Sequence, residues 1–172
     1  ETYPASGKFF GKVWETNIIR VDEQSFMLCF SYKWLGEKKV HNYALPDFPG
    51  YKKDKHNDRQ LVGKLVELLG QADYVIAYHG DRFDLPVTYT RMMFHGHTPP
   101  PPFKTIDPCK EAKRKFNLPS NKLNDVARYF GLGQKVHHTG AELWFECGDG
   151  VETAWKTMVK YNNQDVTLLE SV

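Results

Sequence analysis

The stretch Tyr74-Val75-Ile76-Ala77-Tyr78-His79-Gly80-Asp81-Arg82-Phe83-Asp84 decides how this chain is read. Its first five residues are apolar and do not alternate with polar ones. A central parallel strand, covered on both faces, has that pattern. A helix is expected from about Asp84 to Phe94, stopped by Gly96. Open α/β sheets place their sites just beyond the carboxyl ends of such strands. Asp84 falls there.

On the amino-terminal side, Phe26, Leu28, Phe30, Tyr32 and Trp34 alternate with Met27, Cys29, Ser31 and Lys33. That period of two predicts a half-buried strand. Gly36-Glu37 supplies a turn, and Lys39 to Leu45 reads as the antiparallel partner. Asn57 followed by Gln60 resembles a capping box, and Leu61, Val62, Leu65, Val66 and Leu69 then follow helical spacing. Lys8 to Trp14 is too polar and glycine-interrupted for a central strand, so a strand is expected to precede residue 1 in the intact protein.

On the carboxyl-terminal side, Pro99 to Pro102 form a stiff polyproline spacer, and Lys104 to Ile106 a short strand. Leu123, Val126, Ala127 and Phe130 predict a short amphipathic helix ending at Gly131. A long helix is expected from about Val151 to Glu170. The order gives a mixed β-sheet flanked by helices on both faces, one α/β domain over residues 1–172.

Composition fits that reading. The 172 residues are 41% hydrophobic and 26% charged, ordinary for one globular domain and unlike a disordered chain. The longest apolar runs, Phe26 to Phe30 and Tyr74 to Tyr78, have five residues each. Spanning a bilayer needs roughly 20, so no membrane segment is expected, and no signal-peptide pattern is present. Three cysteines, Cys29, Cys109 and Cys147, lack metal-like spacing and suit a reducing, intracellular, cytoplasmic setting. The net charge of +2 does not by itself imply nucleic acid. Lys52, Lys53 and Lys55 form one basic cluster, and Lys110, Lys113, Arg114 and Lys115 another. Either alone reads as a solvated face; two clusters around an acidic centre would also suit a phosphate backbone.

Three carboxylates stand out. Ala154, Met158, Tyr161, Asp165 and Leu168 are spaced 4, 3, 4 and 3 apart and so share one helical stripe. That stripe faces the core yet carries Asp165, with the Tyr161 phenol one turn earlier. A solvated rim position is the bland explanation; a pair that holds a metal and positions a water is the sharper one. Asp84, before Pro86, also reads as a helix N-cap. Glu1 is terminal, where side chains are often disordered. Carboxylates at apolar positions are costly unless compensated, and a divalent cation compensates them well.

Other residues rank lower. His95 and His97 flank Gly96 and read as surface loop residues rather than a zinc site. His137-His138 reads as polar loop, and Asp107 before Pro108 as a helix cap. Gly131-Leu132-Gly133 lacks the spacing of a nucleotide-binding fingerprint, and no Gly-x-Ser-x-Gly elbow is present.

The three strings resemble the motifs of DnaQ-like 3′–5′ exonucleases of the RNase H-like superfamily, in the tyrosine-bearing (DEDDy) subgroup. Glu1-Thr2 matches the second half of that family's Asp-x-Glu-Thr string. His79 through Phe83-Asp84 matches its second motif, and Tyr161 with Asp165 its Tyr-x-x-x-Asp. Ser120-Asn121-Lys122-Leu123 and Phe130-Gly131-Leu132-Gly133 are similar to the YprB-like branch and to proofreading domains of family B DNA polymerases. The family's first Asp would stand two residues before Glu1, and Leu168 to Val172 looks cut inside a helix, so a longer polypeptide is expected.

That resemblance implies a two-metal phosphodiesterase using Mg²⁺ or Mn²⁺, with Glu1, Asp84 and Asp165 as ligands and Tyr161 orienting the water. Thr2, His79 and Phe83 would lie beside the terminal nucleotide of a single-stranded 3′ end, DNA or RNA. Replication or repair proteins are implied as partners. Two alternatives stay open: a nucleic-acid-binding module that lost catalysis, and an endonuclease on RNA or structured DNA.

Overall fold

The computed structural model describes residues 2–3, 6–10, 17–133, 140 and 142–172, with backbone alone for residues before Gln24. Strand β1 (Thr2–Tyr3) pairs antiparallel with β4 (Phe26–Met27), Thr2 opposite Met27. Strands β2 (Ser6–Phe10) and β3 (Asn17–Glu23) form a second antiparallel pair with two register shifts. The expected hairpin is β5 (Cys29–Tyr32) against β6 (His41–Ala44), Cys29 opposite Ala44. Its turn runs through Gly36 at φ 88°, a conformation glycine adopts without strain, and the Glu37 amide donates to the Trp34 carbonyl at 3.1 Å.

Strand β7 (Tyr74–Ile76) pairs with β8 (Lys104–Ile106), and the pairing is parallel as expected. Around the strands lie α1 (Arg59–Leu69), α2 (Asp84–His95), α3 (Pro108–Lys115), α4 (Leu123–Tyr129), α5 (Glu142–Asp149) and α6 (Glu152–Ser171). The architecture is mixed α/β, with the strands in small sheets among the described residues.

The strand around Phe26 is not half-buried. Phe26, Met27, Leu28, Cys29 and Phe30 are all buried. One side meets α6, where the Cys29 thiol lies 3.9 Å from Asn162 Oδ1 and Ser31 donates to Asn163 Oδ1 at 2.7 Å. On the other, the Phe26 ring stacks on His56 at 4.6 Å. The alternate residues Met27 and Cys29 are themselves apolar, so both faces can be covered at little cost. The main core joins this strand to Leu61 and Val62 of α1, Leu143 and Cys147 of α5, and Met158 of α6. The long helix behaves as its spacing predicts: Ala154, Met158, Tyr161 and Leu168 are buried, and Asp165 is half-buried.

Strand β7 is the reverse case. Tyr74 is 56% and Ile76 47% exposed, so it is not a strand covered on both faces. Among the described residues it pairs only with β8, and a two-stranded ribbon leaves side chains open to solvent. Phe130 also departs from expectation. Helix α4 stops at Tyr129, Gly131 takes φ 69°, and Phe130 turns off the buried stripe of Leu123, Val126 and Ala127.

No capping box opens α1. Arg59 N–H donates to Asn57 Oδ1 at 3.1 Å, while the residue at the N-cap, Asp58, uses its carboxylate elsewhere. It is fully buried and accepts from the Met27 amide at 2.7 Å, Arg91 Nε at 2.8 Å and Arg91 Nη2 at 2.6 Å. His95 Nε2 lies 2.5 Å from the same carboxylate, so His95 is not a surface loop residue. Gly96 at φ 69° caps α2 as expected, and the helix runs through His95, which is turned inward.

Removing one partner of a buried ion pair typically costs about 3–5 kcal/mol, because the other charge is stranded. Asp58→Ala should lower stability by an amount of that order in urea unfolding, and Arg91→Ala should do nearly the same. A double variant should cost much less than the sum.

All three cysteines are buried. Burial, with a smaller contribution from Cys29, pushes the Cys147 thiol up to about 12 from 9.0. A thiol whose pKa is raised on folding stabilises below its unfolded value and loses that contribution as pH rises. Between pH 9.0 and about 12, wild type should therefore lose more stability than Cys147→Ala, as measured by unfolding at stepped pH.

Candidate functional site

Past β7, the ladder continues one step, with the Ala77 amide donating to the Ile106 carbonyl at 3.1 Å. The chain then turns sharply. His79 sits at φ 62°, the one positive-φ residue other than glycine among the described residues. Such a conformation costs of order 1–3 kcal/mol and persists where surrounding bonds over-determine it. Here the bonds are explicit. The His79 amide donates to Asp107 Oδ1 at 2.8 Å, and the His79 carbonyl accepts from the amides of Arg82 and Phe83, each at 3.2 Å. The Gly80 amide reaches the Ala77 carbonyl at 3.2 Å, and the Gly80 carbonyl accepts from the Leu85 amide at 3.0 Å. A Cβ at Gly80 would lie 2.3 Å from the Ala77 Cβ, so the turn admits only glycine there.

Asp107 fills the helix-cap role expected of it, accepting from the Cys109 amide at 3.0 Å at the start of α3. Its bond to His79 is a second role the sequence did not reveal. Asp81 pairs with Lys110 of α3, and the hydrogen bond from Lys110, then one from Thr105, holds its carboxyl below the usual range. Both ties fasten the turn to α3.

Asp84 leaves the turn as the first residue of α2, and its side chain is exposed. Phe83, not Asp84, occupies the N-cap position, so capping does not account for this carboxylate. Phe83 and His79 are both exposed beside it. On α6, the Tyr161 ring is buried and meets Trp144 edge-on at 6.0 Å. Asp165 follows one turn later.

The two regions are joined. Tyr78 OH donates to the Asn121 carbonyl at 2.9 Å, and its ring packs with Leu123, Ala127, Leu168 and Leu169. Burial, then Cys109, raises the Tyr78 phenol. The residue before the His79 turn thus shares a small core with the turn of α6 that follows Asp165. Glu1, the third expected ligand, lies outside the described residues, as do His137 and His138. Thr2 is placed on β1, opposite Met27. Among the described residues, no group of three or more His, Cys, Asp or Glu side chains is arranged to hold a metal ion.

A family model described as the RNase_H superfamily matches residues 15–172. The chain belongs to the RNase H superfamily, whose general business is nuclease and other nucleic-acid chemistry. Comparison with curated proteins returns no match.

The Gly80 contact makes a test. Overpacking of this kind typically costs about 1–3 kcal/mol. Gly80→Ala should destabilise by that order in thermal unfolding, and adding Ala77→Gly, which removes the facing methyl, should recover part of the loss.

Proposed function

We propose that this protein is a metal-dependent 3′–5′ exonuclease, hydrolysing phosphodiester bonds at the single-stranded 3′ end of DNA or RNA. The observation that carries the reading is Asp84: an exposed carboxylate at the first turn of a helix, past the end of a parallel strand, in a chain of the RNase H superfamily. Open α/β sheets place sites at that position.

Tyr161 and Asp165 supply the second half. Their shared stripe is turned inward, and the half-buried Asp165 presents hard oxygen donors of the kind Mg²⁺ and Mn²⁺ prefer. Asp84 and Asp165, with Glu1, would hold the ions, which when bound lower the pKa of a water and stabilise charge on a leaving oxygen. An ordinary phenol stays neutral near pH 7, so Tyr161 is cast as a hydrogen-bonding group that orients the water. His79 and Phe83 flank Asp84 and would lie against the terminal nucleotide, with Thr2. A reducing setting, in keeping with three buried cysteines, and partners in replication or repair belong to the same proposal.

In the intact protein, Asp84→Asn or Asp165→Asn should nearly abolish release of mononucleotides from an end-labelled strand while leaving the melting temperature unchanged. EDTA should do the same, and added Mn²⁺ should restore the rate. Tyr161→Phe should lose about 10²–10⁴-fold, the usual range for a positioning or acid–base group, with metal affinity by calorimetry nearly that of wild type. Full activity in EDTA, or internal fragments in place of mononucleotides, would overturn the reading.

A further inference from the structure

Three aromatic rings stand out of the core where α3 and α4 end. Phe116 follows the last turn of α3, and Tyr129 and Phe130 close α4. They are 51%, 66% and 45% exposed. They also form a group: the Phe116 and Phe130 centroids are 5.5 Å apart at 61°, and those of Tyr129 and Phe130 5.3 Å apart at 80°. Single exposed apolar residues need no explanation, but a contiguous cluster does. Helix α4 buries Leu123, Val126 and Ala127, so its core contribution is made without these rings.

The surroundings are basic. Residues 110–130 carry Lys110, Lys113, Arg114, Lys115, Lys122 and Arg128 against two carboxylates, Glu111 and Asp125. Both carboxylates are occupied locally. Glu111 pairs with Arg114 and Lys115, and Asp125 accepts from Ser120 Oγ at 2.6 Å and lies 3.6 Å from Arg128. A polyanion approaching this face meets an excess of cations. The face also adjoins the turn that carries Asp84, through the ion pair of Lys110 with Asp81 and the bond from His79 to Asp107.

We infer that this face is a single-strand platform: Phe116, Tyr129 and Phe130 stack unpaired bases while Lys113, Arg114 and Lys115 contact the phosphates. Rings interleaved with cations are how non-specific single-strand sites are built, because every base has a π-face and every linkage a charge. A duplex conceals the faces of its bases, so exposed rings favour the unpaired strand. An apolar protein partner would gain little from so many lysines and arginines, which it would have to desolvate. The inference deepens the nuclease proposal and rests on it for the direction in which a strand would run; binding itself does not depend on hydrolysis.

The experiment is fluorescence anisotropy with a labelled oligothymidylate of about 12 residues, in EDTA so that nothing is cut. Phe130→Ala and Tyr129→Ala should each weaken binding about 30-fold, the middle of the range for a stacked base. Phe130→Trp should bind as well as wild type. Replacing Lys113, Arg114 and Lys115 with Gln should flatten the dependence of log affinity on log salt by about 2, given roughly 0.7 per phosphate contact on a single strand. Circular dichroism confirms that each variant folds, and Tyr129→Leu, which keeps an apolar side chain but no ring, serves if Tyr129→Ala does not. Equal binding by wild type and the ring variants, no binding by wild type, or equal affinity for a duplex of the same length would each overturn the platform. Ring-dependent binding by a protein with no metal-stimulated hydrolysis would sink the nuclease proposal and leave the platform standing.

Discussion

The buried carboxylate of Asp58 is the constraint on which the arrangement of the core depends. A charge taken fully out of water is tolerated only when opposite charge and hydrogen bonds replace the lost hydration. Asp58 meets that demand with three groups from two elements: the backbone amide of Met27, the guanidinium of Arg91, and the imidazole of His95. Met27 is on β4 and Asp58 opens α1, whereas Arg91 and His95 are one turn apart on α2. The hydrophobic core is non-directional and would accept some sliding of these elements. The bidentate geometry of Arg91 would not. It fixes the register of α2 against the strand, and α2 is the helix whose first residue is Asp84.

From that anchored helix the chain is pulled back to β7 through a turn under strain. His79 holds a left-handed backbone with a full side chain, and Gly80 passes too close to Ala77 for any Cβ. Neither would persist in an isolated peptide. The strain is opposed by five short-range backbone and carboxylate bonds around His79 and Gly80, and Asp107 provides the one from a neighbouring strand end. Strain held this way at the end of a strand is common at functional sites.

Much of the fold was legible because period and hydropathy coincide. The residues of α1 and α6 were recognisable from spacing alone, and Gly36 and Gly96 marked their turns for the reason glycine usually does. The strand around Phe26 has the period of a half-buried strand, yet its alternate residues Met27 and Cys29 are apolar enough to be covered as well. Helix α5 was missed although Leu143, Trp144 and Cys147 have helical spacing, since the run is short and its flanks carry no clear cap. Asp84, Tyr161 and Asp165 form a pattern visible in the sequence, and Asp84 lies past the end of β7, which stops at Ile76 rather than Tyr78. The Asp58, Arg91 and His95 group was not legible. Each has an ordinary local reading as cap, helix surface or loop, and only folding brings residues more than 30 positions apart together. Phe130 was assigned inward by period, and the early end of α4 reverses that assignment.

Asp107 has one further consequence. The same oxygen accepts the amide that begins α3 and the amide of His79, so the helix and the turn hang from one atom. Displacing the start of α3 would therefore disturb the acceptor on which the His79 backbone depends, beside the second tie from Lys110 to Asp81.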